Sequence, residues 1–173
     1  MTGLPDNVKA VLDALGITVD LIASRTLPFH PEASELVIAE TDGKAKDYLL
    51  IKPAAEAWHA MKASAAADGI ILRIFSAFRS IEHQTRIIRG KLEKGISLED
   101  ILRVNAPPGY SEHHTGRAID ITTDAVSSLK QEFERTSAFH WLSENAHSFG
   151  YSLSFPPNNR FGYMYEPWHW CFA

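Results

Sequence analysis

The stretch GYSEHHTGRAID, residues 109–120, decides how the rest of the chain is read. His113 stands two positions after Ser111, Gly116 three further on, and Asp120 seven beyond His113. From residue 117 the pattern alternates as a strand does, with Ile119 and Ile121 on one face and Ala118, Asp120 and Thr122 on the other. Asp120 therefore faces away from the isoleucines and is available to a site. Gly116 permits a close or unusual backbone turn ahead of the strand, so an imidazole and a carboxylate can converge on one point. His113 and His114 are adjacent, and neighbouring side chains diverge, so one of the two reaches that point.

The other half of a site stands near the C-terminus, in GYMYEPWHW, residues 162–170. Pro167 has no place inside a regular helix, so Glu166 is expected in an extended turn and His169 at the opening of a last strand. A carboxylate beside a His in so apolar a segment isolates a charge that needs a reason. Trp168 either walls the site or packs as an ordinary aromatic. Two His, one Asp and a spare Glu suit a hydrolytic zinc ion. Such an ion takes three protein ligands and keeps a fourth position for water, with the unliganded carboxylate as general base.

Working outward, residues 5–15 read as a short helix opened by Pro5 and Asp6 and closed by Gly16. After an irregular stretch through Pro28 and Pro31, residues 35–41 and 48–51 flank an Asp42-Gly43 turn and read as a hairpin. Pro53 starts an Ala-rich helix over 54–67, with Trp58, Met61 and Ala65 on one stripe. The run 70–75 carries apolar residues on both faces apart from Arg73, as an inner strand would. Ser80 caps a helix over 81–94, so Arg79 and Gln84 bracket its first turn and can point at a ligand. Arg79 there either pairs with an acidic neighbour or stabilises a developing oxyanion. A short helix over 97–104, a loop over 105–109, a helix over 137–148, a strand over 151–155 and an aromatic strand over 168–172 complete the reading. Helices alternating with short strands and hairpins indicate an α+β fold, with helices packed around a small, mostly antiparallel sheet.

Composition bounds what else the chain does. At 173 residues it has the size of one domain with one core. Its formal charge of -4 gives no general attraction for nucleic acid or anionic membrane. Cys171 is the single cysteine, so no internal disulfide forms. No stretch approaches the ~20 apolar residues that span a bilayer. Residues 1–20 lack a basic start, an apolar run and a small-residue cleavage site, so a cytoplasmic location is expected as written, the alternative being export to the cell envelope by another route. His30, His59, His83, His140 and His147 have no ligand-like neighbours and read as surface or hydrogen-bonded residues.

Four segments in order, SAFRSIEHQ, GYSEHHTGRAIDI, NAHSFGYSLSFP and GYMYEPWHW, resemble the VanY-type zinc D-alanyl-D-alanine carboxypeptidases and the related dipeptidases and L,D-carboxypeptidases. The match runs from about residue 54 to 170, leaving residues 1–53 as an N-terminal extension that completes a single peptidase domain. The resemblance implies a hedgehog/D-Ala-D-Ala peptidase-like fold and one Zn2+ held by His113, Asp120 and His169. It implies Glu166 as catalytic base and Arg79 over the scissile carbonyl, with Ser111 and Gln84 near the substrate's terminal residue. It selects His113 over His114, and it names peptidoglycan-derived peptides as partners.

A lytic endopeptidase would share this metal set, and a hedgehog-like module would bind zinc without turnover. Glu166 and Arg79 together favour catalysis, because a binding module needs neither. A purely structural zinc is disfavoured by the three-ligand count.

Overall fold

The computed structural model describes residues 4–124, 126 and 128–173. Helix α1 (Asp6–Ala14) buries Val8 and Leu12, and α2 (Val19–Ser24) follows, its Leu21 N–H donating to the Thr18 hydroxyl at 3.3 Å. This second helix falls in the stretch expected to be irregular. Six residues are too few to show an apolar period, and the Thr18 cap is its main sequence signal.

Strands β1 (Val37–Thr41) and β2 (Asp47–Leu50) form the expected antiparallel hairpin. Asp42 shapes its loop by accepting from the Lys44 and Lys46 N–H groups at 2.8 and 3.0 Å. Helix α3 (Lys52–Ala67) turns Ala54, Trp58, Met61 and Ala65 inward. Strand β3 (Arg73–Ser76) leads to α4 (Ile81–Leu92), capped by Ser80 as expected, and to α5 (Leu98–Val104). Strand β4 (Ala118–Thr122), α6 (Ser137–Asn145), β5 (Tyr151–Leu153) and β6 (His169–Phe172) follow. Short 3-10 turns occupy Glu112–Thr115, Gln131–Arg135 and Ala146–Phe149.

The last four strands form one antiparallel sheet in the order β3-β4-β6-β5. The inner strands are β4 and β6, so the expectation of an inner strand over 70–75 is corrected: β3 lies at the edge. Ile70 is still tied to α3, its N–H donating to Ala65 at 2.8 Å, and Leu72 is buried before pairing begins. Within β3 itself Arg73 is exposed and its guanidinium grips Asp124 at 2.6 Å, the kind of charge that protects an edge.

Ile119 and Ile121 pack with Trp58, Met61, Ile74, Leu142 and Trp170 in a first apolar cluster. Truncating Ile119 to Ala there would cost about 2–5 kcal/mol. A second cluster joins α1, α2, α4 and α5 through Val8, Leu12, Ile22, Ile88, Ile101 and Leu102. Two clusters replace the single core expected from length, and residues ahead of the hairpin supply six of the ten buried residues in the second. Among the described residues no helix is long and apolar enough to cross a membrane.

Candidate active site

Sheet register brings the two distant segments together. Asp120 on β4 is the direct partner of His169 on β6, so their side chains emerge from one face, opposite the buried isoleucines. Gly116 turns the chain into β4 with φ +66°, and a Cβ there would come within 2.8 Å of Leu36 and 3.1 Å of the Ile51 backbone nitrogen. Only glycine fits this approach, which sets His113 beside the start of the strand.

His113, Asp120 and His169 are each nearly sealed from solvent, and each offers a donor atom within 4.8 Å of the others. The His113 Nδ1–H donates to the Ala77 carbonyl at 2.7 Å, which leaves Nε2 facing Asp120 Oδ2 at 3.3 Å. His169 Nδ1 lies 3.1 Å from Asp120 Oδ1, while its Nε2–H donates to Glu112 Oε2 at 2.9 Å. The two imidazoles meet edge to face, with ring centres 4.9 Å apart. Donors around a tetrahedral zinc with bonds of about 2.0 Å are about 3.3 Å apart, close to the separation of each histidine from Asp120. Two nitrogens and one oxygen, with the outer nitrogens already committed, fit a zinc ion with an open fourth position.

The electrostatics follow from burial and pairing. Burial pushes the Asp120 carboxyl up, but the two histidines outweigh it and hold it well below the usual range. Burial likewise opposes charge on His169, yet Asp120 and Glu112 together raise it to about 10 in the metal-free protein. For His113 burial wins and its pKa is lowered. Glu166 is raised to about 7, chiefly by burial, with Asp120 adding to the shift and His169 opposing it. Its Oε2 stands 3.9 Å from His169 Nδ1, beside the ligand cluster without joining it. The expected turn is present: His169 N–H donates to the Glu166 carbonyl at 3.1 Å across Pro167 and Trp168.

Arg79 reaches the cluster from the β3-to-α4 turn. Its Nη2 lies 3.9 Å from Asp120 Oδ2 and 3.1 Å from Ser76 Oγ, and its Nη1 donates to Gln84 Oε1 at 2.8 Å. Burial lowers its pKa, with Asp120 and Glu166 opposing. Arg79 thus faces an acidic neighbour, and it also lines the cleft. Gln84 is fully buried, and its Nε2 donates to the Ala106 carbonyl at 2.7 Å, so its amide braces Arg79 from behind. Ser111 and Trp168 line the cleft, while Trp170 belongs to the core. His114 diverges from His113 as adjacency requires. Its Nδ1–H donates to the Arg79 carbonyl at 2.5 Å and its Nε2 accepts from Gly109 N–H at 3.1 Å, and burial lowers its pKa to about 4.

His113, Asp120, His169, Glu166, Arg79, Ser111 and Trp168 share a cleft of about 840 Å³ with Lys91, Asn105, Tyr163, Tyr165 and Phe155, and Gln84 and His114 lie outside its lining. Glu112 was not singled out by sequence. Burial pushes its carboxyl up, but hydrogen bonds from His169 and from Ser154 Oγ at 2.6 Å outweigh it and hold it at about 2. Its partners lie 42 and 57 residues away, so only its place directly before His113 marks it in the sequence.

Such a buried His-Asp-His cluster, flanked by a carboxylate and an arginine in a cleft, defines the metal centre of the zinc-peptidase class. The family model described as VanY, D-alanyl-D-alanine carboxypeptidase, matches residues 47–173, and the chain belongs to that family. The chain is 32% identical over 175 residues to the putative carboxypeptidase YodJ of Bacillus subtilis, covering 95% of this chain and 59% of that protein. It is 32% identical over 117 residues to a D-alanyl-D-alanine carboxypeptidase of Enterococcus faecalis, covering 62% and 42% respectively. It therefore spans less than two thirds of these curated relatives. The solved LD-carboxypeptidase LdcB superposes with a TM-score of 0.74 at 30% identity, over 84% of this chain and 71% of that one. VanYB in complex with D-alanine-D-alanine superposes with a TM-score of 0.64 at 25% identity, over 83% and 81%. The expected α+β fold of the D-Ala-D-Ala peptidase type is the one found.

Proposed function

We propose that this chain is a zinc-dependent carboxypeptidase that removes a C-terminal D-alanine from peptidoglycan stem peptides. The observation that carries this reading is the placement of Glu166 beside, and outside, the His113-Asp120-His169 cluster. A structural site has no use for an unliganded, half-buried carboxylate beside its ligands. Bound by the three ligands, zinc supplies a Lewis acid that acidifies water and polarises a carbonyl.

The protein's own groups supply the rest. Glu166, half-buried 3.9 Å from His169 Nδ1, takes the proton of the attacking water and later hands it to the leaving amine. Arg79, desolvated and braced by Gln84 and Ser76, stabilises the negative charge that develops on the carbonyl oxygen. Ser111 and Trp168 form cleft walls against which the substrate is oriented. The substrate class is supported by relatives described as an LD-carboxypeptidase in peptidoglycan recognition and as VanYB with D-alanine-D-alanine.

Mass spectrometry of synthetic stem tetrapeptide and pentapeptide, incubated with zinc-loaded protein with and without a chelator, tests the reading. Chelator-sensitive loss of one terminal D-alanine is expected. Intact peptides after incubation with fully zinc-loaded protein would overturn it.

A further inference from the structure

The N-terminal segment reaches the cleft wall through one side chain. Arg25 follows α2 and precedes residues 47–173, the family-matching part of the chain. Its Nε donates to the Phe161 carbonyl at 2.8 Å and its Nη1 to the Leu102 carbonyl at 2.6 Å. Leu102 stands in the last turn of α5, where carbonyls have no partner within the helix. The next such carbonyl, that of Arg103, accepts the Met164 N–H at 2.9 Å, so the same two segments are tied twice. Each then runs into the cleft wall, Asn105 and Ala106 following Leu102, and Tyr163 and Tyr165 following Phe161.

A file of rings relates Arg25 to the metal ligands. The Phe155 ring centre is 4.7 Å from that of His169 and 4.9 Å from that of Tyr163, and the Arg25 guanidinium carbon lies 4.4 Å from the Tyr163 ring centre. Phe161 and Tyr163 also pack on the second apolar cluster, to which α1 and α2 contribute. Among the described residues no carboxylate lies within ion-pair distance of Arg25, and its Nη2 is buried with no hydrogen-bond partner. Burying a cation in this way opposes stability. What the planar fork supplies is a fixed separation of two backbone segments, which a flexible ammonium cannot hold.

We propose that Arg25 is a positioning residue: it clamps the end of α5 to the 161–165 segment and so keeps the cleft wall ordered before substrate arrives. The inference rests on the peptidase reading above and gives the N-terminal segment a part in it. When the wall is in place in only a fraction of the molecules, the apparent affinity for substrate falls by that fraction. Losing a hydrogen bond to a charged group shifts such an equilibrium by about tenfold or more.

The test measures kcat and KM on a stem peptide for the zinc-loaded protein and its Arg25 variants, with active protein counted by zinc content. Arg25→Met should raise KM about tenfold with kcat nearly unchanged and one zinc per chain. Arg25→Lys keeps the charge over the Tyr163 ring but not the fork, and it should show the same defect. A merely structural arginine would lower the unfolding temperature and leave KM alone, so an unchanged KM in either folded variant overturns the proposal. A fall in kcat at constant KM overturns it too, since the effect would then lie in the chemistry. Failure of both variants to fold would make Arg25 a core residue and equally overturn it. If the unmodified protein cleaves no stem peptide, the fault lies with the peptidase reading. Calorimetric binding of D-alanyl-D-alanine then decides on Arg25, with weaker binding by Arg25→Met expected and equal affinities, or no binding by the unmodified protein, counting against it.

Discussion

Glu112 Oε2 accepts the Nε2–H of His169 at 2.9 Å, so a carboxylate on the opposite side of the ring fixes which nitrogen of His169 turns toward Asp120. Ligating imidazoles depend on such outer partners for orientation and basicity, and losing one typically weakens metal binding about 10- to 100-fold. Glu112→Ala should therefore raise the zinc dissociation constant by that factor, measured by competition with a chromophoric chelator. Glu112→Gln keeps an acceptor for the same N–H and should lose less. An unchanged zinc affinity in Glu112→Ala would remove Glu112 from the site.

Glu166 is expected to separate metal binding from chemistry. Glu166→Gln should retain one zinc per chain, because the carboxylate lies outside the three-ligand cluster. Its peptide hydrolysis should fall by roughly a hundred- to ten-thousand-fold, the usual contribution of a general base. Metal analysis beside initial rates checks both halves at once.

The pH dependence follows from the same group. In the metal-free protein the Glu166 carboxyl should titrate at about 7, because burial favours its neutral form. A dication in the adjacent cluster favours the carboxylate, so zinc should move that titration downward. The base must be ionised to accept a proton, so kcat/KM should fall as pH drops through the shifted value, with a limb lying below 7. Carbon-13 NMR of the labelled carboxyl, with and without zinc, gives the two values. A carboxyl that titrates in the ordinary range and ignores zinc would contradict the placement.

Much of this was legible in the chain itself. The alternation of residues 118–122 told which way Asp120 points, and Pro167 excluded a helix and left His169 to open the last strand. Ser80 announced α4, and an Asp-Gly pair announced the hairpin. What the sequence withheld depends on long-range pairing. Local pattern cannot distinguish an edge strand from an inner one when its approach is as apolar as Ile70 to Leu72. The acceptor for His169 comes from Glu112, 57 residues earlier, and no spacing rule links them. Gln84 was expected near the substrate, and only the packed structure shows both ends of its amide taken by Arg79 and Ala106.

His114 separates fold from function next to a ligand. It bridges the Arg79 carbonyl and the Gly109 N–H while buried, so His114→Ala leaves a donor and an acceptor unpaired. Each such loss costs about 1–3 kcal/mol. The variant should melt several degrees lower yet bind one zinc, whereas His113→Ala should lose the metal. Calorimetry with metal analysis distinguishes the two neighbours.

Gln84 offers a sharper test of where binding ends and chemistry begins. A residue that touches substrate and one that steadies a catalytic group differ in which kinetic constant they move. The Gln84 side chain is sealed from solvent and holds Arg79 Nη1 at 2.8 Å, and Arg79 in turn faces Asp120. Gln84→Met keeps the volume but removes both hydrogen bonds, leaving the guanidinium free to drift from the position where charge develops. Misplacement of about 1 Å costs on the order of a hundredfold in rate. The expected result is a fall in kcat with KM changed little and zinc content unchanged, and Gln84→Glu, which preserves an acceptor for Arg79, should recover part of it. A rise in KM at constant kcat would instead place Gln84 against the substrate itself, and the brace assigned to it here would fall.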